Sequence, residues 1–286
     1  MQTINRLEDL RNAVDALKIG GKTVAFVPTM GALHEGHLTL VREARARASH
    51  VVASIFVNPR QFGPNEDLDA YPRRLAADAA LLEAEGVAVL WAPTVDQMYP
   101  QGYATNISVS GVSEVACGAA RPGHFDGVAT VVCKLFNQVR PDLALFGEKD
   151  WQQLAIIRRM ARDLDLTQPH VANIIGVETI REPSGLALSS RNQYLTPEQR
   201  EQAAGLSAAM RRAIAAIEGG APVAPALATL RDEILASGFA SVDYADLRDA
   251  ATLEAIDQFS GQSARLLVAA RIGAARLIDN MGVGLK

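Results

Sequence analysis

The feature that most constrains the fold is an alternation of short apolar segments with longer segments of helical periodicity through residues 1–180. Short apolar segments bounded by turn residues predict buried strands, and apolar residues three or four apart predict helices. The predicted strands lie at 23–27, 51–57, 87–91, 143–146 and 171–177. The predicted helices lie at 38–48, 72–85, 128–139 and 151–164. This alternation is typical of βαβ units around a parallel sheet buried on both faces.

The pattern changes at REPSG, residues 181–185, which predicts a loop and the start of a second domain. Thr196 and Gln199 have the spacing of a capping box at a helix start, and Gly219 and Gly220 end that helix. The segments that follow predict a helix at 224–236, a strand at 242–247 and an antiparallel pair within 266–281. The predicted fold class is α/β, with a Rossmann-like parallel-sheet domain at 1–180 and a smaller α+β lid domain at 181–286.

Composition and charge exclude several classes of partner. The 286 residues carry a formal net charge of −4, so no basic stripe is available to neutralise a nucleic acid. Cys117 and Cys133 lack metal-ligand spacing and are too few for a disulfide framework. No apolar run predicts a signal peptide or a membrane span. We therefore expect a cytoplasmic enzyme with no nucleic-acid or membrane partner, whose anionic ligands bind in a local pocket.

The strongest motif is PTMGALHEGH, residues 28–37, at the end of the first predicted strand. In an open α/β sheet, ligands bind at this edge. His34 and His37 lie three residues apart on one side of a turn, and a helix N-terminus favours phosphate, so both side chains are candidate phosphate ligands. The His-x-Gly-His pattern resembles the nucleotidylyltransferase superfamily. Surface or packing histidines remain an alternative; zinc is disfavoured, because the metalloprotease pattern needs one more intervening residue.

Polar clusters follow other predicted strands at the same edge. Asn58 and Gln61, in SIFVNPRQF, supply amides suited to a ligand with hydroxyl and carboxylate groups, although Asn-Pro alone indicates only a turn. Lys149 and Asp150 follow Gly147 in FGEKDWQQ; by themselves they would be a solvated charge and a helix cap. Because several loops converge at one edge, we predict a shared site.

Two further loops offer groups that bind anions. Arg121 and His124 lie in RPGHFDGV, whose alternative interpretation is an ordinary turn. The triplet of Ser189, Ser190 and Arg191 lies in LSSRN, which offers hydroxyls and a guanidinium to phosphate, or is simply a polar loop before a helix.

The ordered set PTMGALHEGH, SIFVNPRQF, RPGHFDGV, FGEKDWQQ and LSSRN resembles the pantothenate synthetase family over nearly the whole chain, including LLVAARIGAARLIDN near the end. The sequence departs from the family pattern at Leu188, where Met is common, and at Trp151, where Tyr is common. The resemblance implies an ATP-dependent ligase that forms pantoyl adenylate and pyrophosphate from pantoate and ATP, then pantothenate and AMP with β-alanine. It also implies Mg²⁺ with the ATP and a homodimer.

The resemblance also implies roles for the candidate residues. His34, His37 and Lys149 are the expected catalytic residues. ATP is expected to contact these three residues and six others: Met30, Gly147, Asp150, Ser189, Ser190 and Arg191. Pantoate is expected to contact Gln61, Gln153 and Met30, with Asn58, Arg121 and His124 as accessory residues. Asp78 is a weak candidate for an indirect Mg²⁺ contact; the alternative is a solvated helix carboxylate.

Other functions remain open at this point. A small nucleotidylyltransferase acting on a phosphate ester would use the histidines but has no evident need for Gln61 and Gln153. A non-catalytic nucleotide-binding regulator would not need Lys149. An aminoacyl-tRNA synthetase is disfavoured by the acidic charge balance.

Overall fold

The computed structural model describes residues 1–64, 66 and 68–284, and its contacts divide the chain into two compact units. Unit 1 contains Met1–Ser113, Arg121–Glu148 and Ile156–Glu178. Unit 2 contains Glu114–Ala120, Lys149–Ala155 and the chain from Thr179 onward. Each unit therefore draws on separate stretches of sequence, and the domain division after residue 180 stays a prediction.

Unit 1 is built on a parallel sheet, as predicted. Within the described residues its strands are β1 (Gln2–Ile4), β2 (Val24–Thr29), β3 (His50–Ile55), β4 (Val89–Trp91), β5 (Leu143–Gly147) and β6 (Ile174–Val177). The spatial order is β1-β4-β3-β2-β5-β6, and every pair is parallel. The central strand β2 is fully buried from Val24 to Val27, which explains its continuous apolar sequence.

Helices connect the strands of unit 1 and cover the sheet. They are α1 (Leu7–Leu17), α2 (Glu35–Arg47), α3 (Leu75–Ala84), α4 (Val95–Met98), α6 (His124–Val139) and α7 (Trp151–Asp163), which continues from unit 2. Leu40, Val41 and Ala44 of α2 pack against Val27 and Val51 of the sheet in one buried cluster. In the part of the chain that the structure describes, no helix is long and apolar enough to cross a membrane.

The predicted strands and helices of unit 1 are all present, with shifted ends. Two helices begin before their predicted starts: α2 at Glu35 and α6 at His124, instead of residues 38 and 128. The prediction also omitted β1, α1 and the short α4. In β1 only Ile4 is buried, so the strand has no alternating pattern.

Unit 2 packs two helices against one face of an antiparallel sheet. The helices are α8 (Pro197–Glu218) and α9 (Val223–Ala236), and the strands are β7 (Ser241–Asp249), β8 (Ala264–Ile272) and β9 (Ala275–Val283), in the order β7-β8-β9. The capping box of Thr196 and Gln199 is confirmed at the start of α8. Leu206 and Met210 of α8 share a buried core with Leu266 and Val268 of β8.

The opposite face of this sheet is also covered, by the short segments that unit 2 takes from the middle of the chain. One of these segments contains α5 (Cys117–Ala120). Tyr244 of β7 contacts Cys117 there, with 2.9 Å between Oη and Sγ. Side chains alternate between the two faces of a strand. On β8, Leu266 and Val268 belong to the buried row that faces α8 and α9, and Arg265 belongs to the row on the opposite face.

Candidate active site

The order of strands in unit 1 indicates where ligands bind along the sheet. From β2 the chain proceeds through β3 to β4 on one side of the sheet, whereas β5 and β6 lie on the other side. The order therefore reverses between β2 and β5, and ligands of open α/β sheets bind beyond the carboxyl ends of the strands at such a point. The histidine motif follows β2, and Gly147 is the last residue of β5.

His34 and His37 cap the first turn of α2 reciprocally. His34 is the N-cap, and its Nδ1 accepts a hydrogen bond from the Gly36 N–H at 3.2 Å. The His37 Nδ1 accepts one from the His34 N–H at 3.3 Å. The two ring centroids lie 4.1 Å apart. The pair thus takes the place of the Ser or Thr and Glu that usually form a capping box.

The capping bonds determine which nitrogen of each ring is a donor. A ring nitrogen that accepts a backbone N–H carries no proton, so each neutral imidazole is protonated on Nε2. Both Nε2–H groups are then hydrogen-bond donors of the kind that phosphate oxygens accept. The helix dipole at this end favours the same negative ligand.

Asp78 holds the loop that leads into His34. The loop turns through two consecutive left-handed residues, Gly31 with φ of 86° and Ala32 with φ of 52°. The N–H groups of Ala32 and Leu33 donate to the Asp78 carboxylate at 2.8 and 3.0 Å. A Cβ at Gly31 would lie 3.1 Å from Asp78 Oδ2 and on a strained backbone, so glycine is required there.

The interpretation of Asp78 as a solvated helix carboxylate was wrong, because its exposed fraction is 3%. Each of its oxygens is instead within hydrogen-bond distance of a backbone N–H of the loop. Its predicted indirect contact with Mg²⁺ remains untested. Among the described residues, no group of three or more His, Cys, Asp and Glu side chains is arranged to hold a metal ion.

Gln61, Asn58 and Met30 form one hydrogen-bonded network at the ends of β2 and β3. The Asn58 Nδ2 donates to Gln61 Oε1 at 3.1 Å, and the Gln61 Nε2 lies 3.0 Å from Met30 Sδ. Tyr99 donates its hydroxyl to Asn58 Oδ1 at 2.8 Å, which fixes the orientation of that amide. Burial raises the pKa of Tyr99 and keeps this hydroxyl a donor. Gln61 is consequently oriented with its N–H donors away from Asn58.

Gly127 of α6 lets that helix approach the turn that carries Gln61. Its carbonyl accepts a hydrogen bond from Asn58 Nδ2 at 3.0 Å. A Cβ at this position would lie 2.2 Å from the Arg60 carbonyl oxygen and 2.7 Å from the Gln61 nitrogen. Real contacts are never that short, so any side chain at 127 would displace the backbone of Gln61.

Arg121 and His124 adjoin the same turn. The His124 Nδ1 lies 2.8 Å from the Gln61 carbonyl oxygen, and its Nε2 lies 3.0 Å from Arg121 Nη1. Arg121 also forms an ion pair with Glu66, with 2.6 Å between Nε and Oε1. Burial opposes ionisation of Glu66, but the hydrogen bonds and charge of Arg121 outweigh it and lower the pKa of this carboxyl.

Unit 2 contains the remaining candidate residues. The Lys149 Nζ lies 3.6 Å from Asp150 Oδ1, in a short 3₁₀ turn at Glu148–Asp150. Gln153 is half-buried in the first turn of α7. Ser189 accepts the Arg191 N–H on its Oγ at 3.3 Å and caps a 3₁₀ helix at Ser190–Tyr194. Hydrogen bonds from Asn192 Nδ2 to the Ala187 carbonyl and Glu182 hold this loop.

Tyr99 and Glu66 belong to the network around Gln61 but were not predicted from the sequence. Tyr99 is 41 residues from Asn58, and Glu66 is 55 residues from Arg121. Neither lies in a local pattern that indicates a ligand site. Their contribution depends on how the strands and loops pack.

Comparisons with known proteins match the chain over almost its full length. The family model described as pantoate-beta-alanine ligase matches residues 2–282. A pantothenate synthetase of Novosphingobium aromaticivorans is 86% identical over 284 residues, covering 99% of each chain. A pantothenate synthetase of Sphingopyxis alaskensis is 61% identical over 284 residues, covering 99% of this chain and 100% of that protein.

Solved structures have the same fold. The pantothenate synthetase of Thermus thermophilus superposes with a TM-score of 0.89 at 47% identity, covering 98% of this chain and 99% of that one. The pantoate-beta-alanine ligase of Francisella tularensis, complexed with beta-gamma ATP and beta-alanine, gives a TM-score of 0.82 at 33% identity. That match covers 98% of this chain and 97% of the other.

Proposed function

This chain belongs to the pantoate-beta-alanine ligase family, and from that membership we propose how its residues join pantoate to β-alanine. It is an enzyme of pantothenate biosynthesis. First, a pantoate carboxylate oxygen attacks the α-phosphorus of ATP, the bond to the β-phosphate breaks, and pyrophosphate leaves. Second, the β-alanine amine attacks the carbonyl carbon of pantoyl adenylate, AMP leaves, and the nitrogen loses a proton. The complex of the Francisella tularensis ligase with beta-gamma ATP and beta-alanine supports this choice of substrates.

The observation that carries this proposal is the capping box of His34 and His37. With Nδ1 of each ring bonded to backbone, Nε2–H of each ring donates to the phosphates of ATP at the start of α2. These donors are fixed before ATP binds, and such preorganisation is the main source of charge stabilisation in enzymes. The adenylation step needs no covalent enzyme intermediate.

Lys149 stabilises the negative charge that builds at the α-phosphate during attack. Ser189, Ser190 and Arg191 bind the outer phosphates through hydroxyls and a guanidinium. Gly147 and Met30 border the adenosine, and Asp150 bonds the ribose hydroxyls. Mg²⁺ enters with the ATP phosphates, because this ion usually keeps phosphate and water ligands instead of an all-protein cage.

Gln61, Gln153 and Met30 contact pantoate, and Asn58, Arg121 and His124 are accessory residues. The network around Gln61 supports this assignment, because its Oε1 is already bonded to Asn58. One Nε2–H group contacts Met30 Sδ, and the other can therefore donate to a hydroxyl or carboxylate oxygen of pantoate. A phosphate-ester nucleotidylyltransferase has no evident need for these amides, and a non-catalytic regulator would not need Lys149.

The order of the two steps gives a direct test. Pantoate alone supports exchange of labelled pyrophosphate into ATP, because the adenylate forms before the amine is used. The measurement is the exchange rate with ATP and pantoate, with and without β-alanine. An absolute requirement for β-alanine in the exchange would overturn the two-step mechanism. The homodimer implied by the resemblance and the cytoplasmic location inferred from the composition remain predictions.

Replacing Gln61 with Ala removes an amide donor from the pantoate pocket. A substrate hydroxyl left without a partner costs roughly 1–3 kcal/mol, so we expect kcat/KM for pantoate to fall about tenfold or more. The preference for pantoate over its 2-deoxy and 4-deoxy analogues should narrow in the same variant. The measurement is kcat/KM for all three substrates, with the affinity for ATP measured alongside.

Gln138 provides a matched control for that substitution. Like Gln61 it is buried, accepts a side-chain N–H on its Oε1, from Trp91 at 3.0 Å, and places its Nε2 near a methionine sulfur, Met98 Sδ. Gln138→Ala should cost stability and leave the preference among the three substrates unchanged. If Gln61→Ala and Gln138→Ala discriminated equally between pantoate and its deoxy analogues, Gln61 would not be the residue that recognises the hydroxyls.

A further inference from the structure

Asn280 and Arg265 form a buried polar pair on the face of the unit 2 sheet opposite α8 and α9. Their exposed fractions are 3% and 7%. Burying an amide and a guanidinium costs free energy unless both are well bonded, and apolar side chains of similar size usually serve packing equally well. The partners of this pair therefore indicate what it does.

Asn280 connects the sheet to the backbone of Lys149. Its Oδ1 accepts a hydrogen bond from Arg265 Nη1 at 2.7 Å, and its Nδ2 donates to the Lys149 carbonyl at 2.8 Å. The backbone N–H of Asn280 donates to the carboxylate of Asp279 at 2.8 Å. Asp279 is held in turn by both terminal nitrogens of Arg181, at 2.6 and 2.8 Å. Asn280 therefore has little freedom to turn away from Lys149.

Arg265 holds the residue on the other side of Asp150. Its guanidinium carbon lies 3.5 Å from the centre of the Trp151 ring, a stacked cation–π contact. The Trp151 Nε1 donates to the Ala250 carbonyl at 2.9 Å, which fixes the ring from its edge. The sheet of unit 2 thus contacts the residue on each side of Asp150, through the carbonyl of Lys149 and the ring of Trp151.

We infer that Asn280 and Arg265 are positioning residues that set the placement of the Lys149 ammonium for adenylate formation. The inference rests on the proposed role of Lys149. A lysine side chain has many rotamers, so its charge is well placed only if the backbone beneath it is fixed. Side-chain contacts from β8 and β9 contribute to that fixation in the 3₁₀ turn that leads into α7.

A double-mutant cycle tests the inference on the full-length protein. The variants are Asn280→Ala, Lys149→Ala and the combination, and the measurement is the single-turnover rate of pantoyl adenylate formation at saturating ATP and pantoate. Asn280→Ala alone should lower the rate about 10- to 100-fold, the scale of a misplaced catalytic group. In the Lys149→Ala background the same substitution should change the rate less than about twofold, because the misplaced group is already absent.

Each outcome of the cycle leads to a different conclusion. If Asn280→Ala lowered the adenylation rate by the same factor in the wild-type and Lys149→Ala backgrounds, Asn280 would have a general structural role and the inference would be overturned. A Lys149→Ala variant with the wild-type rate would overturn the proposed role of Lys149, and the inference with it. Asn173→Ala is the matched control, since Asn173 Nδ2 also donates to a backbone carbonyl, that of Asp142, with 2.9 Å between the two atoms. It should retain the wild-type rate.

A second substitution keeps the test valid if Asn280→Ala does not fold. Asn280→Asp has nearly the same shape and still accepts the hydrogen bond from Arg265, so it should remain folded. In Asn280→Asp a carboxylate oxygen replaces Nδ2. This oxygen cannot donate, so the hydrogen bond to the Lys149 carbonyl is lost. The rate of Asn280→Asp should fall at least as far as that of Asn280→Ala and show the same dependence on Lys149. An unchanged rate in folded Asn280→Asp would also overturn the inference.

Discussion

Replacing Lys149 with Ala is expected to lower the single-turnover rate of adenylate formation by about 10²-fold or more. In the proposed mechanism the ammonium interacts with an α-phosphate that carries more negative charge in the transition state than in bound ATP, so its loss raises the barrier more than it weakens binding. The affinity for ATP should change much less than the rate. Rapid-quench measurement of pantoyl adenylate, with ATP binding measured separately, distinguishes the two effects.

Lys18 is the matched control for this substitution. Its side chain is 22% exposed, compared with 17% for Lys149, and it too pairs with a carboxylate, Asp142, at 3.1 Å. Lys18→Ala removes a comparable ion pair from another part of the chain and should leave the adenylation rate near that of the wild type. A normal rate in Lys149→Ala would remove Lys149 from the catalytic residues.

Replacing His34 with Asn is expected to lower the same rate by about 10²-fold while leaving the free energy of unfolding within about 0.5 kcal/mol. Asparagine is among the best N-cap residues, so its Oδ1 can accept the Gly36 N–H in place of the imidazole Nδ1. The Nε2–H donor is lost, and removal of one preorganised donor typically costs this much in rate. The substitution therefore separates the capping role of His34 from its proposed phosphate contact.

Thr196→Asn is the corresponding control, because Thr196 is the N-cap of the capping box on α8. This substitution also exchanges one N-cap residue for asparagine and should change neither the rate nor the stability appreciably. The measurements are denaturant unfolding and single-turnover adenylation of both variants. A His34→Asn protein with an unchanged rate would show that the histidine only caps the helix. A large loss of stability would show that asparagine does not replace the cap.

The parallel sheet was predictable because its central strands, β2 and β3, are buried on both faces and are therefore largely continuous apolar runs. The start of α2 was predicted late, at residue 38, because histidine is not a usual N-cap residue, although His34 fills that position. The start of α6 was predicted late because Gly127 disfavours a helix when sequence alone is considered. The structure shows that this glycine is needed for close packing against Arg60.

The candidate ligand-binding residues have local sequence signals, whereas the residues that hold them in place do not. His34, Gln61 and Lys149 follow β2, β3 and β5, at the sheet edge where open α/β folds bind ligands. Asp78 contacts the loop before His34 from 46 and 45 residues along the chain, and Asn280 contacts Lys149 from a separation of 131 residues. No local periodicity encodes such contacts, because they depend on the packing of whole elements.

Gly127 has a consequence for how this enzyme tolerates mutation. The amide proposed to read pantoate keeps its place because position 127 carries no carbon side chain, and the nearest atom to any added carbon belongs to rigid backbone. Side-chain chemistry alone would predict that substitutions at position 127 have little effect, since glycine has no side chain with which to bind or react. A library of random variants sorted by growth without added pantothenate would instead place position 127 beside Gln61. In this part of the enzyme, empty space is as specific a requirement as any functional group.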